Sequence, residues 1–112
     1  EITMGSKAYR YLDFSRFSAK TRILGSTILH LLTLVLFPAM EGSIVFPCYA
    51  WDIASSHAVL RHFGMDLCYG DGTLFSYTDE MVFGRQPFRS ALYAGTDKVR
   101  EELIRTLPER RS

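Results

Sequence analysis

The ten-residue run from Ile28 to Phe37, ILHLLTLVLF, constrains the fold of this chain more than any other stretch. A helix that crosses a bilayer needs about 20 apolar residues, so this run is roughly half long enough. His30 and Thr33 interrupt it and Pro38 ends it. The pattern predicts a helix buried in a protein core. Ser26 supplies an N-cap hydroxyl before the run, and Pro38 and Gly42 mark its end.

What surrounds that helix reads as strands alternating with helices. Ile2-Thr3-Met4 has the look of a strand end, and a polar stretch through Arg10-Tyr11-Leu12-Asp13 suits a helix. Thr21 to Leu24 predicts a short strand closed by Gly25, and Ser43 to Phe46 another stopped by Pro47. A helix opened by Asp52 follows, with Ile53, Ala54, Ala58, Val59 and Leu60 as its apolar side and Gly64 as its C′ residue. Asp66–Tyr69 and Thr73–Tyr77 flank Gly70-Asp71-Gly72, a hairpin signature. Ser90–Ala94 predicts a final core strand. Thr96 then caps a last helix through Leu107, with Val99, Leu103, Ile104 and Leu107 at helical spacing. The alternation predicts an α/β layered domain with a mixed sheet and flanking helices.

At 112 residues and 47% hydrophobic, the chain suits one domain with a real core. Its net charge is +1 with both signs interspersed, which argues against a nucleic-acid stripe or a polybasic membrane patch. Cys48 and Cys68 lack metal-ligand spacing and are too few for a disulfide scaffold. They read as reduced, buried thiols of a cytoplasmic protein. The opening at Glu1, without a signal peptide or an initiator Met, reads as a piece of something longer.

Among the polar residues, Trp51-Asp52-Ile53-Ala54 stands out. A carboxylate between an aromatic residue and a helix start can hold a metal or sit beside a phosphate. It can equally cap the helix, since Asp at an N-cap satisfies orphan N–H groups in any fold. Ser26 and Thr27 are capping residues by the same logic, and Arg22 at a strand end suits an ion pair as well as a phosphate. His30, His57 and His62 share no ligand spacing; His57 and His62 are five apart, off the i,i+4 geometry. Arg105, Arg110 and Arg111 read as solvated charges on a frayed end. Phe14, Phe17, Phe46, Phe63 and Phe75 read as core.

Taken in order, Arg22-Ile23-Leu24-Gly25-Ser26, an apolar helix, a strand and then Trp51-Asp52-Ile53-Ala54 resemble the C-terminal half of the inositol monophosphatase family. The downstream order of helix, Gly64, strand, Gly70-Asp71-Gly72 turn, strand and final helix matches as well. The resemblance implies a magnesium-dependent, lithium-sensitive phosphomonoesterase acting on a small phosphorylated polyol, sugar or nucleotide. It implies that Asp52 is a Mg²⁺ ligand and that Gly25, Ser26 and Thr27 form the turn that approaches substrate, with Arg22 nearby. Backbone N–H groups at a helix N-terminus favour an anion, which agrees with that placement.

The departures matter too. The family's upstream Glu and its Asp-Pro-x-Asp-Gly-Thr element are absent. Asp71-Gly72-Thr73 imitates the tail of that element, but Cys68 stands where its first Asp belongs, so it is not read as a metal motif. Val45 stands seven residues before Asp52, where inositol-specific members often have Glu, and Ser55-Ser56 and Gly64-Met65 replace smaller pairs. The chain is therefore expected to be one domain, the C-terminal domain of a two-domain protein, holding no catalytic residue of its own and silent in isolation. Its partner would be a chain carrying the N-terminal half, or a second copy, with the Ile28–Phe37 helix as the apolar contact. A non-catalytic domain of the same fold, used for assembly or regulation, is the competing reading. An unrelated α/β domain with these motifs by chance is the third.

Overall fold

A computed structural model describes residues 2–4, 12–17, 21–23, 27–37, 40–46, 48, 52–84 and 86–109, with backbone alone for 21–23 and 27–30. The chain runs β1 (Ile2–Met4), β2 (Thr21–Ile23), α1 (Thr27–Leu36), β3 (Gly42–Val45), α2 (Ala54–His62), β4 (Asp66–Tyr69), α3 (Asp79–Val82), β5 (Leu92–Gly95) and α4 (Asp97–Thr106).

The five strands form one mixed sheet in the order β2-β1-β3-β5-β4. β1 pairs parallel with both β2 and β3, Thr3 lying opposite Arg22 and Ser43. β5 runs antiparallel to β3 on one side and to β4 on the other. Side chains alternate across the pleat and so divide the core in two. Val45, Leu67, Tyr69, Leu92 and Ala94 pack with Leu31 and Leu34 of α1 and with Ile53 and Leu60 beside and within α2. Ile2, Met4, Ile44, Cys68 and Tyr93 face the other way, onto Leu103 and Leu107 at the α4 end. The layered α/β domain expected from the sequence is the fold observed.

Local signals explain most boundaries. α2 ends in a Schellman motif: Gly64, at φ 78°, donates to the Arg61 carbonyl and Met65 to the Leu60 carbonyl. The Thr96 hydroxyl accepts from the Val99 N–H and opens α4, as expected. α4 lies close to the sheet because Gly42 has no side chain. A Cβ there would come within 2.7 Å of Leu103 Cδ1 and 2.9 Å of Val99 Cγ1.

Four expectations need correction. Leu12 joins an isolated antiparallel bridge with Glu109 instead of a helix, and residues 5–11 lie outside the described residues. The second hairpin arm is shorter than expected: Leu74 bridges Cys68, the Tyr69 N–H bonds the Thr73 carbonyl and the Phe75 N–H the Leu67 carbonyl, after which the chain leaves β4 and Tyr77 reaches α2. Phe63 is 57% exposed, beyond the last turn of α2 where no element covers it. Lastly, Ala54, Ala58 and Val59 do not face the core; the buried stripe of α2 is Ser56, His57 and Leu60, continued from Ile53.

The Ile28–Phe37 run is a helix as expected. Leu31, Thr33 and Leu34 are buried, and its exposed apolar surface is confined to Leu36 and Phe37 among the residues whose side chains are described. No helix among the described residues is long and apolar enough to cross a membrane.

Candidate functional site

Parallel pairing fixes where a site can form. β2, β1 and β3 point the same way, so the chain leaves β2 for α1 and leaves β3 for α2 at one edge of the sheet. Two strand spacings, roughly 10 Å, separate those exits. Helix N-termini opening at the carboxyl ends of parallel strands make the usual ligand crevice of α/β sheets. α1 begins at Thr27, immediately after the Gly25-Ser26 pair, and α2 begins just after Asp52.

Asp52 occupies one residue of 3₁₀ conformation, half-buried, ahead of the helix. The capping position is Ile53, which offers no side-chain cap, and the first α2 hydrogen bond runs from the His57 N–H to the Ile53 carbonyl at 2.8 Å. Asp52 thus lies one residue ahead of the capping position. Its charge reaches Cys48: burial first, and then the Asp52 carboxylate, push that thiol up to about 12.

The other expected residues are placed less fully. Thr27 is the first residue of α1 and Arg22 the middle of β2, both described by backbone only, while Gly25 and Ser26 lie outside the described residues. The topology brings Thr27 and Asp52 to the same edge. Asp71 is engaged elsewhere: it accepts from the Thr73 N–H at 2.9 Å and from Arg89 Nη2 at 3.2 Å. The Thr73 and Arg89 bonds hold its carboxyl near 2, well below the usual range. Arg89 also stacks 4.0 Å above the Tyr69 ring.

Sequence reasoning overlooked a buried polar cluster on α2. His57 Nε2 lies 2.7 Å from Asp66 Oδ1 and His57 Nδ1 lies 2.9 Å from the Tyr77 hydroxyl. Burial would raise the Asp66 carboxyl, yet the His57 bond and the Leu67 N–H outweigh it and hold that group low. Burial and the Asp66 charge raise Tyr77, so its hydroxyl stays protonated. Beside this cluster the Ser56 hydroxyl is buried without a partner among the described residues. The available signal was spacing: Ile53, Ser56, His57 and Leu60 fall on one helical stripe.

Magnesium takes near-octahedral oxygen coordination and gives up water reluctantly. No group of three or more His, Cys, Asp or Glu among the described residues is arranged to hold a metal ion. One half-buried carboxylate, Asp52, does not match that demand. The described residues do not by themselves fit a magnesium site.

No protein family model matches the chain, and no curated protein matches it. Solved structures do. The chain superposes on extragenic suppressor protein suhB from Bartonella henselae with TM-score 0.64 at 20% identity, covering 94% of this chain and 40% of that one. A native crystal structure of the same protein gives 0.63 at 18% identity. A 2′-AMP-bound SaIMPase-II gives 0.64 at 13% identity, covering 92% of this chain and 39% of that chain. The chain has the inositol monophosphatase fold over about two fifths of the length of these structures, the fold that the sequence resemblance implies.

Proposed function

We propose that this chain is the C-terminal domain of an inositol-monophosphatase-like phosphomonoesterase. In that reading Asp52 lends one carboxylate to a phosphate-handling site whose other acidic groups come from an N-terminal half. The substrate class is a small phosphorylated polyol, sugar or nucleotide; the 2′-AMP in the SaIMPase-II structure is a ligand of that kind. The observation that carries the reading is the convergence of Thr27 and Asp52 on the carboxyl edge of parallel strands β2 and β3. There the α1 N-terminus presents N–H donors suited to phosphate oxygens, and the Asp52 carboxylate suits a divalent cation.

In the intact protein Asp52, together with acidic groups from an N-terminal half, would hold magnesium, which would supply Lewis-acid activation for ester hydrolysis. Within this chain the contribution is limited to holding an anion at α1 and presenting a charge at Asp52. The free thiols of Cys48 and Cys68 fit a cytoplasmic setting.

Manganese stands in for magnesium in the test. A single carboxylate holds such an ion only weakly, so millimolar but not micromolar Mn²⁺ should broaden the backbone NMR signals of Asp52 and Ile53 in the chain, and Asp52→Asn should remove that broadening. Broadening at exposed acids such as Asp79 and Glu80 with none at Asp52 would overturn the reading.

A non-catalytic role in assembly is the second reading, favoured by exposed Leu36, Phe37 and Phe63. Acidic metal-binding elements in an N-terminal half would decide for the enzyme, and their replacement for assembly.

A further inference from the structure

His57 is 4% exposed and uses both ring nitrogens, each with a partner from a different part of the chain. Asp66 is nine residues on, at the start of β4, and Tyr77 twenty residues on, past the turn that follows β4. A carboxylate only accepts, so Nε2 carries a proton; with Nδ1 unprotonated the Tyr77 O–H donates to it, an arrangement that satisfies all three groups. The ring also packs against Phe75, with centroids 5.9 Å apart. Bonds of this kind are directional in a way that Leu60 packing is not, so they set the rotation of α2 about its axis.

We propose that His57 is a positioning residue: through Asp66 and Tyr77 it fixes how α2 rotates and thereby where its leading end presents Asp52. Asp52 lies five residues before His57, about 7–8 Å along a helix. The consequence for phosphate handling rests on the function proposed above; the latch itself does not.

The test separates a polar latch from simple packing. His57→Gln keeps an N–H for Asp66 and an oxygen for Tyr77, whereas His57→Leu keeps only apolar bulk. In the 112-residue chain, amide hydrogen exchange over Ile53–Leu60 should accelerate at least about tenfold in His57→Leu, which loses both of the ring's hydrogen bonds. His57→Gln should return it to within about twofold to threefold, and Tyr77→Phe, at a partly exposed site, should show a share of the acceleration. Long-range ¹⁵N NMR of the wild-type ring should report the Nε2–H tautomer. In Mn²⁺ titrations, His57→Leu should weaken the broadening at Asp52 and His57→Gln should preserve it.

Equal exchange in His57→Leu and wild type, or no advantage of Gln over Leu, would overturn the latch. If His57→Leu fails to fold, the Tyr77→Phe exchange and the ring tautomer decide. Absence of Asp52 broadening in the wild-type chain would count against the phosphatase reading alone, leaving the exchange result to judge His57.

Discussion

Asp66 Oδ1 accepts from His57 Nε2 at 2.7 Å and from its neighbour's amide, Leu67 N–H, at 2.8 Å. That shared oxygen makes the helix–strand contact sensitive to acid. Asp66 is held below its ordinary pKa in the folded chain, so its contribution is present above the unfolded value, about 4, and fades as pH falls through the lower folded value. Asp66→Asn should cost about 1–3 kcal/mol at pH 7. Urea unfolding from pH 7 down to pH 3 should show the gap between the two proteins narrowing below about pH 4.

The Gly42 position tests the α4 layer. Gly42→Val forces a side chain into Leu103 and Val99 and should lower stability by about 1–3 kcal/mol or more, read by thermal unfolding. An unchanged midpoint would mean that α4 stands further from β3 than the structure has it.

Cys48 reports on the charge at Asp52. A thiol pushed up to about 12 should react with iodoacetamide at pH 8 at least tenfold more slowly than an unperturbed cysteine, followed by peptide mass spectrometry. Burial is the larger cause, so Asp52→Asn should accelerate alkylation only severalfold. Alkylation unaffected by Asp52→Asn would place the carboxylate away from the thiol.

Leu36 and Phe37 at the end of α1 and Phe63 at the end of α2 leave apolar surface in water. Self-association is therefore expected at high concentration, by light scattering, and should weaken in Phe37→Ser with Phe63→Ser. A monomer throughout would contradict it.

How far the sequence could be read follows from where each residue's partners lie. The Gly64 end of α2 and the Thr96 start of α4 depend on neighbours within five residues, and both were visible in the chain. The inward stripe of α2 was not. Ranking by hydrophobicity put Ala54, Ala58 and Val59 inside, while the structure buries Ser56 and His57 because Asp66 and Tyr77 come from elsewhere in the chain to meet the ring. The arm after Gly72 stops early for a similar reason: the Phe75 N–H still bonds the Leu67 carbonyl, but the Phe75 and Tyr77 side chains meet Phe88 and His57, off the sheet ladder. Asp52 was legible as a carboxylate beside a helix start. Its position one residue ahead of the cap was not, because Ile53 at a cap is a choice that propensity disfavours.

The central claim is that Asp52 belongs to a phosphatase site that this chain does not complete. The most direct measurement is phosphomonoesterase activity of the 112-residue chain with magnesium, against a panel of sugar, polyol and nucleotide monophosphates. The account predicts no turnover above background, with or without Asp52→Asn. Magnesium-dependent turnover that Asp52→Asn abolishes would contradict it.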